Sequence, residues 1–94
     1  MWVEERVTIR HPQGLHVRPA RMLWETARRF PCEVRVVKGH ISADVKSIFE
    51  IMTLDASDGA EILVRAKGDQ AEEAVRAIVR LIDDGFPETM KPAP

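Results

Sequence analysis

A chain of 94 residues holds one domain with one modest core. Its 14 Lys and Arg nearly balance 15 Asp and Glu, and aromatics make up only 5% with no Tyr, which excludes a basic field or a base-stacking platform for nucleic acid. No apolar run reaches membrane-spanning length, Met1-Trp2-Val3-Glu4-Glu5 is too acidic for a signal peptide, and Cys32 stands alone, so no membrane insertion, no disulfide framework and a reducing cytoplasmic home are expected.

Val3, Val7 and Ile9 fall opposite Glu4, Arg6, Thr8 and Arg10, a period of two that predicts a half-buried strand. Pro12 and Gly14 end it in a turn. His11, ahead of that proline, is expected to be an incidental loop residue. His16 comes next, and Pro19 suits the first turn of a helix, where its missing N–H has no partner to lose. The helix is expected from about Val17 to Arg29, burying Ala20, Leu23, Ala27 and the trailing Phe30, with Arg21, Glu25 and Arg28 outside. Trp24 fits either a core edge or an exposed patch. This places His16 at or beside the N-cap, where the N–H groups of Val17 and Arg18 converge and the helix dipole is positive. Arg18 adds a planar cation suited to phosphate oxygens. Residue by residue, these features also describe a weak cap and a solvated arginine. Together they can receive and hold a phosphoryl group on histidine, with Arg18, Arg21 and Arg28 as a positive rim that speeds encounter with acidic partners.

Beyond Pro31, Val34 and Val36 alternate with Glu33 and Arg35 as a second strand; Lys38-Gly39-His40 is a turn, and Ile41 to Asp44 a third. His40 is expected to be simply exposed. His11, His16 and His40 lie apart in sequence without metal-ligand spacing. Ser47-Ile48-Phe49-Glu50 fits a capping box opening a short helix through Thr53: the Ser47 hydroxyl would accept the Glu50 N–H, and the Glu50 carboxylate the Ser47 N–H. Ile51 and Leu54 are the expected core residues there. Ile48, Phe49 and Met52 are the expected surface residues, an apolar patch of the kind that marks a partner surface. Ile62, Val64 and Ala66 define a fourth strand, and Gly68-Asp69 opens a last helix with the stripe Ala71, Ala74, Val75, Ile78, Val79 and Ile82. Gly85 stops it. Residues 1–85 are expected to form the single domain, and 86–94, with three prolines, a flexible tail.

Gly14-Leu15-His16-Val17-Arg18-Pro19-Ala20 resembles the active-site motif of HPr, the histidine phosphocarrier of the bacterial phosphoenolpyruvate:sugar phosphotransferase system (PTS). That motif usually reads G-[IL]-H-[AT]-R-P-A, so Val17 is a mild departure. Lys46-Ser47-Ile48-Phe49, with Met52 and Leu54, resembles the family's regulatory serine stretch at a matching separation. The resemblance covers about residues 3 to 84. Glu50 stands where the family commonly has glycine or lysine, Asp55 where it commonly has glycine, and the hairpin glycine comes about one place early.

The resemblance implies a two-layer α+β open-faced sandwich, βαββαβα, with a four-stranded antiparallel sheet covered on one face by three helices, as the element order also suggests. It implies a monomeric carrier rather than an enzyme, without metal or cofactor. His16 would accept a phosphoryl group on Nδ1 from enzyme I, itself charged from phosphoenolpyruvate, and pass it to IIA domains of sugar permeases. Arg18 would balance the phosphate charge and the Val17 and Arg18 N–H groups would hold its oxygens. Ile48, Phe49, Met52, Arg21 and Arg28 would meet partners, and Ser47 would be the regulatory site of an HPr kinase/phosphorylase. A nitrogen-related phosphotransferase branch, or a regulator bound by transcriptional regulators, would use the same fold. A small phosphate-ester or acyl-phosphate hydrolase is the alternative from another class.

Overall fold

In the computed structural model, which describes residues 1–87, four strands and three helices follow the order βαββαβα. The strands are β1 (Trp2–Thr8), β2 (Glu33–Lys38), β3 (Ile41–Asp44) and β4 (Glu61–Lys67). The helices are α1 (Val17–Ala27), α2 (Ile48–Met52) and α3 (Ala71–Asp83). One sheet runs β1-β4-β2-β3 with every neighbouring pair antiparallel.

Pairing Val3 with Ala66 and Ala66 with Val34, and Val64 with Val36 and Val36 with Ala43, lines up the inward side chains of all four strands in rows. A one-residue slip would turn every one of them to solvent, so burial of this face sets the register. The helices cover that face: Ala20, Leu23 and Ala27 of α1, Ile51 of α2, and Ala74, Ile78 and Ile82 of α3 are all fully buried. Each large aliphatic side chain among them contributes about 1.5–3 kcal/mol by leaving water. The open face is mostly polar, with Val37 paired to Leu63 on its central strands and, at its edge, Trp2 under the Arg65 guanidinium at 4.3 Å and Glu4 2.6 Å from Arg65 Nε.

Helix boundaries depart from expectation in ways that follow from backbone hydrogen bonding. α1 closes at Ala27 with Arg28 as C-cap, so Arg29 is outside it, and Phe30 is only half-buried. Trp24 is half-buried, with the Arg28 guanidinium 4.5 Å over its ring. α3 begins after Gln70, which takes left-handed φ 65, so Asp69 lies outside the helix and Glu72 and Glu73 are the acids of its first turn. Leu81 joins its buried stripe, whereas Val79 is half-buried.

Residues 86–94 are not all tail. Phe86 is 2% exposed and belongs to the core. The Gly85 N–H donates to the Ile82 carbonyl and the Phe86 N–H to that of Leu81, with Gly85 at φ 77. These are the paired bonds of a Schellman cap, which folds the next side chain back onto the helix. The expectation of flexibility otherwise falls on residues 88–94, outside the described residues. Among the described residues, no helix is long and apolar enough to cross a membrane.

Candidate functional site

The turn from β1 into α1 builds the site. The Gly14 N–H donates to the His11 carbonyl at 2.9 Å, and Gly14 takes φ 66, a left-handed conformation that glycine adopts without cost. The Leu15 N–H then donates to the Ala56 carbonyl at 2.8 Å, and the Leu15 side chain is buried. Backbone bonds on one side and an apolar anchor on the other therefore fix the residue that follows.

That residue, His16, is the N-cap of α1, extended at φ −121 and ψ −164. Its carbonyl accepts the first helical bond, from the Ala20 N–H at 2.9 Å, while its side chain makes no cap bond. The N–H groups of Val17 and Arg18 precede that first bond, and Pro19 has none. No acidic residue lies in the first turn of α1, whereas α3 carries its own two glutamates there. The first turn of α1 thus carries no negative charge of its own to offset the positive end of its dipole. The His16 side chain is half-buried, and its Nε2 is shielded from solvent and without a hydrogen-bond partner. Arg18 lines the same open cleft of about 550 Å³, together with His11, Pro12, Gln13, His16 and Gly85.

His11 stands in the loop between β1 and α1, as expected. Five positions from His16 in the chain, it lies across the Gly14 turn with its ring centroid 5.1 Å from that of His16 and the planes tilted by 55°. The two histidines are therefore neighbours. The signal for this closeness was the tight glycine turn between them. His40 is exposed in the two-residue hairpin loop, where Gly39 takes φ 59.

The rim residues divide. Arg21 is exposed and pairs with Glu25 at 3.4 Å. Arg28 shares the exposed face of α1 with Val17 and Arg21 but sits about 18 Å along the axis from His16, at roughly 1.5 Å per residue. It extends the positive face and does not border the imidazole, contrary to the expected rim.

At α2, the Ser47 hydroxyl accepts the Glu50 N–H at 3.2 Å, the expected half of the capping box. The other half is absent: Glu50 Oε1 accepts the Asp44 N–H at 3.0 Å, and the Ser47 N–H donates to the Asp44 carbonyl. Lys46, just ahead of this helix, is tied to the connection between α1 and β2 by donating to the Phe30 and Cys32 carbonyls at 2.7 and 2.8 Å. Ile51 and Leu54 are fully buried, as expected. Of the three expected surface residues, Phe49 is 79% and Met52 41% exposed, but Ile48 is half-buried against the core. Val17, 62% exposed, adds an apolar side chain beside the histidine. Asp55 takes left-handed φ 52, the conformation for which the glycine implied by the resemblance is suited.

Residues 3–84 match the family model described as the PTS HPr component phosphorylation site. The chain is 38% identical over 80 residues to the phosphocarrier protein HPr of Vibrio cholerae, covering 85% of this chain and 94% of that one. It is 36% identical over 89 residues to the phosphocarrier protein NPr of Escherichia coli, covering 94% and 99%. The fold is similar to the crystal structure of HPr-C-His from Thermoanaerobacter tengcongensis, with a TM-score of 0.87 and 38% identity over 94% of this chain and 99% of that one. By motif, topology and these likenesses, the chain belongs to the PTS HPr family of phosphocarrier proteins.

Proposed function

We propose that His16 Nδ1 accepts a phosphoryl group from phosphorylated enzyme I in the cytoplasm and returns it to IIA domains of sugar permeases. The observation that carries this is the placement of His16: a half-buried imidazole with Nε2 shielded, at the N-cap of a helix whose first turn holds no acid of its own. In the transfer the Nδ1 lone pair attacks phosphorus, the bond to the donor breaks, and the donor keeps that electron pair. The ring proton stays on Nε2 throughout. The three phosphoryl oxygens meet the Val17 and Arg18 N–H groups and the Arg18 guanidinium, so charge is balanced as it arrives. Phosphoryl transfer asks little of a protein beyond such positioning and electrostatics.

Incubation with phosphoenolpyruvate and enzyme I should add one phosphoryl group by intact mass, labile in acid, stable in alkali and located on His16. Release of many equivalents of inorganic phosphate per chain would instead support the hydrolase reading and overturn this one.

Similarity to the Escherichia coli NPr supports a second reading, a carrier or regulator of the nitrogen-related branch. Transfer from the phosphorylated chain to a sugar IIA domain and to a nitrogen-branch IIA domain, measured side by side, separates the two.

Docking on this reading uses Val17, Phe49 and Met52, with Ile48 beneath them and Arg21 and Arg28 supplying long-range attraction. Ser47 borders that patch. Phosphorylation there by an HPr kinase/phosphorylase would add about −1.5 to −2 charge. Ser47→Asp is expected to raise the KM for enzyme I about five- to tenfold by like-charge repulsion with an acidic partner. Ser47→Ala should leave that KM unchanged and cost about 1 kcal/mol of stability through the lost cap. Steady-state kinetics and thermal melts check both, and equal KM values for Ser47→Asp and wild type would remove the regulatory role.

A further inference from the structure

We propose that His11 is a second phosphate-binding residue, whose Nε2–H donates to the phosphoryl group carried on His16. The proposal rests on the phosphocarrier reading above and adds to it a ligand for the charge.

Proton position comes first. His11 Nδ1 lies 3.2 Å from the Gln13 backbone nitrogen and accepts its N–H. A nitrogen that accepts a hydrogen bond carries no proton, so the neutral His11 ring holds its proton on Nε2. The turn thus takes up the acceptor side of the ring and leaves a donor as its remaining polar atom.

Placement comes second. The ring stands 5.1 Å from the His16 ring, tilted by 55°, and lines the same cleft as Arg18. Val17 and Arg18 approach an anion there from the helix, whereas His11 approaches from the β1 side. Among the described residues, none that lines this cleft is a carboxylate. The nearby Asp58 carboxylate accepts the His11 backbone N–H at 3.1 Å.

Rigidity comes third. Besides the Asp58 bond, the His11 carbonyl accepts the Gly14 N–H, and the ring meets Phe86 edge-on at 6.1 Å and 76°. Phe86 is itself buried and held by the cap of α3. A ring fixed by backbone bonds, a tautomer-setting bond and an aromatic edge loses little entropy on meeting a ligand.

His11→Phe keeps an aromatic ring against Phe86 and removes the donor; His11→Gln restores a donor in a different frame. Both chains and the wild type are phosphorylated with phosphoenolpyruvate and enzyme I. The equilibrium constant for uptake from phospho-enzyme I should fall about tenfold in His11→Phe, the size expected for one hydrogen bond to a charged acceptor. Gln should recover part of that loss, and the ³¹P resonance of the phosphohistidine should shift in Phe but less in Gln. Thermal midpoints of the unphosphorylated variants report any purely structural effect, which would move with neither the equilibrium nor the resonance. Equal equilibrium constants for His11→Phe and wild type, or phosphate recovered on His11 itself, would overturn the proposal. A wild-type chain that takes up no phosphate would overturn the carrier reading and this one with it.

Discussion

Replacing His16 with alanine is expected to abolish uptake of acid-labile phosphate from phosphoenolpyruvate and enzyme I, a fall of roughly 10³-fold or more in rate, while leaving the fold in place. The second half of that expectation follows from what the side chain does in the unmodified protein. It is half-buried and makes no cap bond to its own helix. Its Nε2 is shielded without a partner, a situation that costs about 1–3 kcal/mol for a buried polar group. Alanine gives up the packing of a small ring but also relieves that cost, so the two changes offset. The net effect should lie within about 1 kcal/mol, or less than about 8 °C in Tm for a domain of this size. Folded protein that cannot be phosphorylated is therefore the outcome to look for, by intact mass and a thermal melt on one sample. Wild-type phosphate uptake by His16→Ala would move the acceptor elsewhere, and His11 would be the first side chain to test. The structure argues against that result, because the His11 nitrogen that carries a free lone pair is already engaged by the Gln13 N–H.

Much of this site could be read from residue order because its parts are local. A proline in the first turn, a stripe at helical spacing and a histidine just ahead are all set within a dozen residues, and they define where the helix dipole points. The strands were legible for the same reason: Ile62, Val64 and Ala66 alternate with residues that solvent can reach. What escaped was decided by distant contacts. His11 reaches His16 only because Gly14 turns left-handed and because Phe86, more than 70 residues away, closes behind it. Phe86 was misread because prolines follow it. Yet glycine followed by a large apolar residue is the mark of a Schellman cap, and that mark was present at Gly85-Phe86. Glu50 shows the same limit in reverse: its carboxylate found the Asp44 N–H, which the chain's fold supplied, ahead of the Ser47 N–H that local spacing offered.

Gly14→Ala should be the most damaging single methyl added to this protein. A Cβ at Gly14 would lie 2.4 Å from the Ala56 carbonyl oxygen and 2.7 Å from Ser57 Cα, both backbone atoms with no rotamer to escape into. The same Ala56 carbonyl holds the Leu15 N–H, and bonds between Ile9 and both Gly59 and Ala60 clasp the two segments just beyond. Room for the methyl can come only by prising these segments apart. Left-handed strain for alanine adds about 1–2 kcal/mol and overpacking about 1–3 kcal/mol, for a loss near 3 kcal/mol. In a domain of this length that corresponds to a Tm lower by roughly 15 °C. Gly39→Ala separates the two terms. Gly39 has a similar φ of 59, but a methyl there would meet no atom within 4 Å, so it should lose only the strain, about 1 kcal/mol. Function should divide the pair further. His16 is two residues from Gly14 and is positioned through the Leu15 bond, so even folded Gly14→Ala should accept phosphate roughly 100-fold more slowly, as a displacement of about 1 Å at a reacting atom can cost. Gly39→Ala should accept it at the wild-type rate. Equal losses of stability and rate in the two variants would mean that the clasp between the Gly14 turn and the Ala56 segment does not position the imidazole.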